Sequence, residues 1–363
     1  MPKVELHVHL DGSFDEERLF HWAKLRSDIL PASVKCFWDG TEIRVKEAVD
    51  RASRSDFHKL VTSKGSRSLF EVFKAFEVYK PIVNGDEEVL EDLAFHFCKR
   101  QKNSNVIYTE VRYSPHLLVD KEKADMSAED IVLAVTRGLR RGEDAFGIVV
   151  RQILCCICHC PTFAEEVVEL AHKLRDKGIV GVDIAAGEAH FKPEEPNLRQ
   201  PHVLAMQRAN ELGLNITVHA GEEGPASNVM DAVKTYHAKR IGHGYHLLDD
   251  PEMYRSIIEA RIHFEGCPTS SYETGGFAGE DWRKHPLKQF QTDGANLSIN
   301  TDDPSVFATC IEEEMLICIN KMGLTLRDMA TCNVNAARAA FAPEDEKELL
   351  VSKILAYCFA RKK

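Results

Sequence analysis

Several features that define large classes of protein are missing from this chain of 363 residues. No apolar run of about 18 residues occurs, so we expect no membrane-spanning helix. No basic stripe offsets the formal net charge of −11, which argues against a nucleic-acid or anionic-membrane partner, because phosphate groups attract clustered Lys and Arg. Internal repeats and Pro/Gly linkers are also missing. Because 44% of residues are apolar and 28% charged, the composition is that of an ordinary globular protein.

The first residues and the cysteines bear on the cellular compartment. The chain opens MPKVELH, without the charged and then apolar pattern of a secretory leader. Eleven cysteines, an odd number, suit free thiols better than a disulfide framework. The CxxC spacing within Cys155–Cys160 has no second pair, so we interpret it as part of an apolar strand. We therefore predict a cytoplasmic protein.

Short apolar runs alternate with amphipathic segments along the chain, which is the rhythm of repeated βα units. Eight such runs are found, and eight parallel strands with intervening helices predict a (β/α)8 TIM barrel. A doubly wound sheet shares the rhythm, but no glycine-rich phosphate loop follows the first run. The predicted strands are Val4–Leu10, Val106–Tyr113, Ile148–Cys158, Ile179–Ala185, Leu214–Ala220, Arg240–Leu247, Arg261–Cys267 and Asn296–Asn300.

The residues beyond this barrel pattern predict two additions to a single domain covering residues 1–363. Residues 12–104, after the first strand, are predicted to be a helical insertion that forms a cap, and Glu344–Ala360 a C-terminal helix. Apolar residues recur within the insertion at helical spacing, and they suit either a packed cap core or a hydrophobic gate over the site. These residues are Phe57, Leu60, Phe70, Phe73 and Phe76.

Histidines and carboxylates recur where the predicted strands end. His7 and His9 stand two apart and so share one face of the first strand, which is the interior face in a barrel. A single inward histidine is usually a core residue, but similar groups follow three later strands, and barrel active sites lie at this rim. The further residues are His219, Glu222, His243, Asp302 and Asp303.

Four of these residues predict a metal site. His7, His9, His219 and Asp302 offer three imidazole nitrogens and one carboxylate, a set that suits one Zn²⁺ per chain. The fourth strand region has no lysine to bridge two metals, which favours a single ion. Glu222 and His243 are then candidates for acid–base catalysis, and Asp303 is left to orient a substrate.

These residues lie in segments that resemble the adenosine deaminase family, metal-dependent barrel hydrolases of the amidohydrolase superfamily. The similarity spans nearly the whole chain. The matching segments are PKVELHVHLDGS at 2–13, EVRYSPHLL at 110–118, RQILCCICH at 151–159, TVHAGEEG at 217–224, RIGHGYHLL at 240–248, SINTDDP at 298–304 and NAARAAFAPEDEKELL at 335–350.

The resemblance implies a role for each site residue. His7, His9, His219 and Asp302 would bind zinc, with His9 also at the substrate. Glu222 would protonate purine N1 while hydroxide attacks C6. His243 would orient and deprotonate the water that supplies this hydroxide. Asp303 would contact N7 and Asp11 the ribose 5′-hydroxyl. The implied reaction is hydrolytic deamination of adenosine and 2′-deoxyadenosine, in purine salvage and catabolism.

Asp11 and one loop bear on the substrate. A carboxylate at position 11 accepts a bond from a free hydroxyl but repels a phosphate, which favours a nucleoside over a nucleotide. The family's DLAGDE-like loop carries a glycine whose N–H meets purine N3, and this chain has DIAAGE at 183–188. Ungapped alignment places Ala186 there, whereas a one-residue slip would place Gly187 there.

Two alternatives to this activity stay open. The chain could act on a related purine, N6-methyl-AMP or adenine, or be a catalytically weak barrel that serves as a binding or growth-factor-like protein. The cytidine-type deaminases are excluded, because His263 and Glu265 make an HxE but the PCxxC motif is missing. We expect a monomer whose partner is the small nucleoside substrate.

Overall fold

The computed structural model describes residues 1–36, 39–51, 54–120, 126–188 and 196–360. Within these ranges eight parallel strands form one sheet, in which each strand pairs with the next along the chain. The strands are β1 (Lys3–His9), β4 (Val106–Tyr113), β5 (Val149–Ile157), β6 (Ile179–Ala185), β7 (Asn215–Ala220), β8 (Arg240–His243), β9 (His263–Gly266) and β10 (Asn296–Ile299). A small antiparallel pair, β2 (Val34–Lys35) and β3 (Glu42–Ile43), lies outside the sheet.

The sheet closes between its first strand and the residues just after its last. The backbone N–H of His9 donates to the carbonyl of Asp302 at 2.8 Å, and the N–H of Asp302 donates to the carbonyl of His7 at 3.0 Å. A parallel bridge joins Val8 and Asp302. The predicted (β/α)8 barrel is confirmed, and its closure brings three predicted metal ligands together.

Helices follow the strands and cover the barrel, as the alternating pattern predicts. Residues with capping side chains begin several of them: Ser127 and Thr325 form capping boxes with Asp130 and Asp328. The helices are α1 (Glu16–Leu25), α2 (Val45–Arg51), α3 (Arg54–Val61), α4 (Leu69–Val83), α5 (Glu87–Asn103), α6 (Ala128–Phe146), α7 (Ala164–Lys173), α8 (Pro196–Glu211), α9 (Ala226–Lys234), α10 (Pro251–Glu259), α11 (Pro268–Glu273), α12 (Pro286–Thr292), α13 (Ile311–Asn320), α14 (Leu326–Ala339) and α15 (Glu344–Ala360).

The predicted boundaries are confirmed for β4, β6 and α15, and the clearest error is at β8. The sequence predicts a strand over Arg240–Leu247, whereas β8 ends at His243. His243 and Gly244 have φ values of 68° and 78°, and this left-handed backbone leaves the extended conformation. A 3₁₀ turn over Tyr245–Asp249 follows. The early end turns the chain at the barrel rim, where His243 lies.

The residues between β1 and β4 form α1–α5 with the small β2–β3 pair. Phe57 is fully buried in the core, whereas Phe73 and Phe76 are partly buried and line a cavity. Phe70 is 45% exposed. Phe57 thus belongs to the packed core, whereas Phe73 and Phe76 face the cavity. The boundaries predicted for a cap, 12–104, stay a prediction. In the described part of the chain, no helix is long and apolar enough to cross a bilayer.

Candidate metal centre and active site

Four buried side chains converge at the carboxyl ends of β1, β7, β8 and β10. They are His7, His219, His243 and Asp302, and one potential ligand atom from each lies within 4.8 Å of the others. His7 and His219 are inward-facing strand residues, His243 ends β8, and Asp302 follows β10. Residues that are far apart in sequence meet here because parallel barrel strands all end at one rim.

His9, which the sequence predicts as a ligand, lies against the same group. Its Nε2 is 3.2 Å from His219 Nε2 and 3.3 Å from Asp302 Oδ1, and His7 Nε2 is 3.2 Å from Asp302 Oδ1. Ligands about 2.0–2.1 Å from a tetrahedral ion stand roughly 3.3 Å apart. His7 Nε2 has no hydrogen-bond partner among the described residues. The spacings between these nitrogen and oxygen atoms therefore fit the ligands of one ion. His243 lies farther away, with its Nε2 3.9 Å from Asp302 Oδ2.

Two buried carboxylates orient these imidazoles from below. His7 Nδ1 is 2.7 Å from Glu265 Oε2, and His219 Nδ1 is 3.0 Å from Asp183 Oδ2. A carboxylate that accepts from Nδ1–H leaves Nε2 unprotonated, which is the form that binds a metal. Sequence reasoning missed both carboxylates as site residues. Their signal was an inward position on β6 and β9, the same period-two argument that found His7 and His9.

Arg112 joins the two carboxylates. Its guanidinium donates to Asp183 Oδ2 at 2.8 Å and to Glu265 Oε2 at 2.7 Å, with all three side chains fully buried. Although burial opposes it, the contacts of Asp183 with His219 and with the Arg112 guanidinium lower its pKa to about 2. Arg112 is thus one contact removed from two predicted metal ligands, His7 and His219.

Two glycines make room for the site. A Cβ on Gly242 would lie 2.7 Å from His7 Cε1, and one on Gly12 would lie 1.8 Å from Asp303 Oδ1. Such distances do not occur between real side chains, so any other residue would displace the imidazole or the carboxylate. Packing against these site residues therefore requires glycine at position 242 in RIGHG and at position 12 in HLDGS.

The two predicted acid–base residues are neighbours. His243 Nε2 lies 3.7 Å from Glu222 Oε2, and both side chains are buried. Burial, with the nearby carboxylates of Asp302, Glu223 and Glu188, raises the pKa of Glu222 well above its usual value. The pair faces the same cavity as the metal cluster.

This cavity, about 260 Å³ in volume, lies above the cluster. Asp11, Asp303 and Ala186 line it together with His9, His219, Glu222, His243 and Asp302. Part of its wall is apolar and comes from the helices after β1 and the loop after β4. This apolar wall consists of Phe14, Leu69, Phe73, Phe76, Leu117 and Leu118. A polar floor with an apolar wall suits a flat heterocycle that carries a few polar groups.

The loop after β6 bears on the open choice between Ala186 and Gly187. Both residues have left-handed backbones, with φ values of 62° and 77°. Ala186 lines the cavity and Gly187 is absent from its lining. The geometry therefore favours Ala186 as the residue that faces a bound ligand.

Among the described residues, no Lys or Arg forms an ion pair with Asp11 or Asp303, two acids of the cavity lining. Burial raises the pKa of Asp11 to about 7. Burial, with the carboxylates of Asp302, Asp11 and Glu222, raises the pKa of Asp303 well above its usual value. Oδ1 of Asp11 and Oδ1 of Asp303 are buried without a hydrogen-bond partner in the described part of the chain. These acceptors are available to a ligand.

Two other motifs are structural in the described residues. Cys155, Cys156 and Cys158 are buried free thiols of β5 and of the residue after it, and no cysteine belongs to the metal cluster. Within the HxE motif, His263 bonds Asn296 and Ser298 on β10, whereas Glu265 bonds His7. The two residues of that motif therefore do not share a site.

The fold and the buried cluster define a (β/α)8 barrel with a candidate metal site at its carboxyl rim. The profile of the family described as "Adenosine deaminase" matches residues 2–357. The chain is 40% identical to an adenosine deaminase from Xenopus tropicalis over 97% of its length and 94% of the relative's. The identity is 33% with an adenosine deaminase of Clostridium botulinum, over 98% and 97%. The chain therefore belongs to the adenosine deaminase family.

Solved structures share this fold. An Arabidopsis N6-mAMP deaminase aligns with a TM-score of 0.80 at 25% identity, over 98% of both chains. An adenine deaminase from Arthrobacter aurescens aligns with the same TM-score at 21% identity, over 98% of this chain and 99% of the other. The architecture is thus shared by deaminases that are named for different purines.

Proposed function

We propose that this chain hydrolyses adenosine and 2′-deoxyadenosine to inosine and 2′-deoxyinosine, with release of ammonia. The observation that carries the proposal is the convergence of Glu222, His243 and three predicted ligands on one cavity, with the fourth ligand, His7, in the buried cluster behind them. The three ligands in the cavity wall are His9, His219 and Asp302. Membership of the adenosine deaminase family supports the substrate class, since relatives up to 40% identical bear that name. Purine salvage and catabolism are the processes in which such a reaction belongs.

The proposed cofactor is one Zn²⁺, held by His7, His9, His219 and Asp302. Three imidazoles and one carboxylate suit this borderline ion, and the buried carboxylates behind His7 and His219 hold them in the binding tautomer. A zinc ion supplies Lewis-acid chemistry that makes water a nucleophile at neutral pH.

His243 is proposed as the base, and Tyr245 supports that role. The Tyr245 hydroxyl donates to the carbonyl of Cys267 at 3.1 Å and accepts from the N–H of Cys267 at 3.0 Å. With its only proton engaged, the hydroxyl is an acceptor toward His243 Nδ1, which lies 3.2 Å away. Nδ1 therefore carries the imidazole proton, and Nε2, which faces Glu222 and Asp302, is left basic.

The remaining residues are proposed to bind the purine and its ribose. Glu222 stands beside His243 and would donate a proton to purine N1, while Asp303 would contact N7. The N–H of Ala186 would meet N3, with Gly187 as the alternative. Asp11 would accept a bond from the 5′-hydroxyl, since its Oδ1 is a buried acceptor without a hydrogen-bond partner among the described residues. We further propose a cytoplasmic monomer.

A panel of purines tests this proposal. Metal-free protein is prepared by dialysis against a chelator and assayed, before and after one equivalent of zinc, on adenosine, 2′-deoxyadenosine, AMP, N6-methyl-AMP and adenine. We expect zinc-dependent turnover of the two nucleosides. N6-methyl-AMP as the best substrate would transfer the assignment to the activity named for the Arabidopsis neighbour. Full activity without metal would overturn the mechanism, and no turnover of any purine would favour a binding protein.

A further inference from the structure

Glu188, in the loop after β6, is buried and gathers an unusual number of hydrogen bonds. Its carboxylate accepts from the backbone N–H groups of four consecutive residues, 221–224, and from the side-chain amide of Asn228. The distances are 2.9 Å from Gly221, 2.8 Å from Glu223 and Gly224, and 3.0 Å from Asn228. No Lys or Arg of the described residues forms an ion pair with it. The backbone of one turn thus provides most of its stabilisation.

The turn 221–224 joins β7 to α9 and carries Glu222. Successive N–H groups that point to one concave side form an anion-binding nest, and buried N–H groups need an acceptor. A carboxylate in this nest makes charge-assisted bonds, which are stronger than neutral ones. A Cβ on Gly224 would lie 2.7 Å from Glu188 Oε2, so the glycine admits the carboxylate. The turn is therefore built around this side chain.

We propose that Glu188 is a positioning residue, which holds the turn so that the Glu222 carboxylate stays beside His243 and over the metal cluster. The inference deepens the proposed function and rests on it, because it concerns the proton donor of that reaction. Glu188 itself is absent from the cavity lining, so its effect on catalysis passes through Glu222. Displacement of a catalytic group by about 1 Å can lower a rate roughly 10²-fold.

A double-mutant cycle separates positioning from a structural role. We expect Glu188→Gln to lower kcat roughly 10²-fold, with little change in the KM for adenosine or in zinc content, because one amide cannot accept from all five donors. In a Glu222→Gln background the same substitution should have no further effect on kcat. A merely structural residue would lower stability but leave kcat per folded, zinc-loaded site unchanged.

Two further variants keep the test decisive. Glu223→Gln is the matched control, because it removes a carboxylate near Glu222 while the nest stays intact. It therefore measures the effect of the lost charge alone, and its loss of kcat should be much smaller than that of Glu188→Gln. If Glu188→Gln does not fold, Asn228→Ala removes one of the five donors and should give a smaller kcat loss that vanishes in the Glu222→Gln background. Losses that multiply with that of Glu222→Gln, or a wild-type kcat in Glu188→Gln, would overturn the inference. A zinc-loaded wild-type enzyme inactive on adenosine would instead refute the proposed function.

Discussion

Two groups of buried charges occupy neighbouring layers of the barrel, and they differ in how their charge is balanced. The interior charge network, inside the strands, consists of Glu110, Arg112, Asp183, Arg240 and Glu265. Arg240 contacts Glu110 at 2.6 Å and Glu265 at 2.7 Å, and Arg112 contacts Asp183 and Glu265. The rim carboxylates Asp11, Glu222 and Asp303 face the cavity, and none of them forms an ion pair with a Lys or Arg of the described residues.

The pKa values reflect this difference. Although burial opposes it, Arg112 and Arg240 hold the pKa of Glu265 well below its usual range. At the rim, burial raises the pKa of Asp11, Glu222 and Asp303. The interior acids are fully buried whereas Asp11 and Asp303 are only half-buried, so the partners and not the depth of burial decide the direction of the pKa shift. The interior acids are paired with arginines of the same chain, whereas the rim acids face groups that arrive from outside the chain.

The largest expected effect comes from breaking the interior network. Arg112→Met leaves Asp183 and Glu265 buried without their shared cation, and we expect a loss of about 3–5 kcal/mol in the free energy of unfolding. Denaturant unfolding measures it. Arg137→Met is the control, because Arg137 is 44% exposed in its pairs with Glu87 and Glu91, and it should cost less than about 1 kcal/mol. Equal losses would contradict the comparison.

The next effect concerns pH. His263 begins β9. Burial lowers its pKa to about 4, assisted by Arg240 and opposed by the hydrogen bond that His263 Nδ1 donates to Asn296 Oδ1 and by Glu265. The unfolded chain binds this proton near the ordinary value of 6.5, so the contribution of a neutral His263 is complete above that pH and is lost as pH falls toward 4. The slope is about 1.4 kcal/mol per pH unit.

His263→Gln removes this titration. We expect its unfolding free energy to vary less steeply than that of the wild type between pH 6.5 and 4, by about 1.4 kcal/mol per unit. Above pH 6.5 the two curves should run parallel, which serves as the internal control. Parallel curves over the whole range would show that His263 is protonated in the folded protein.

A smaller effect of opposite sign is expected at the rim. Asp303→Asn removes a carboxylate that lies beside other acids and whose buried Oδ1 has no hydrogen-bond partner among the described residues. In metal-free protein we expect the free energy of unfolding to rise by about 1 kcal/mol, while zinc-loaded protein loses turnover of adenosine. Calorimetric unfolding and the nucleoside assay measure the two quantities. A less stable variant would mean that this carboxylate contributes to folding as the interior acids do.

The smallest effect sharpens the boundary between strand and rim. Ala186 has φ of 62°, a conformation that costs an L-residue roughly 1–2 kcal/mol and costs glycine almost nothing. Ala186→Gly should therefore stabilise the protein by about 0.5–1 kcal/mol, after allowing for the greater chain entropy of glycine. The neighbouring Ala185→Gly, at the end of β6, should destabilise it by a similar amount. Effects of the same sign would contradict the strain argument.

Much of the site could be predicted because it depends on strand ends. Period two places His7 and His9 on one face, and the ends of later strands point to His219, Glu222 and Asp302. The sequence predicts too long a strand at β8. A left-handed backbone is signalled in a sequence by glycine, and it begins here at His243, which is not a glycine. Arg112 and Glu188 were missed as contributors because each acts through partners on other strands or turns. Their contacts exist only after the barrel closes.

The sequence by itself determined the βα order, the ligand types and the membership of a family, because periodicity and residue chemistry are local properties. The tertiary structure decided which charges are paired. Glu265 and Asp303 are both carboxylates, but one lies between two arginines and the other faces a cavity. Coulombic energy falls with distance in three dimensions rather than along the chain. For that reason only the folded structure decides which acids are paired with arginines inside the barrel and which face the cavity without such a partner.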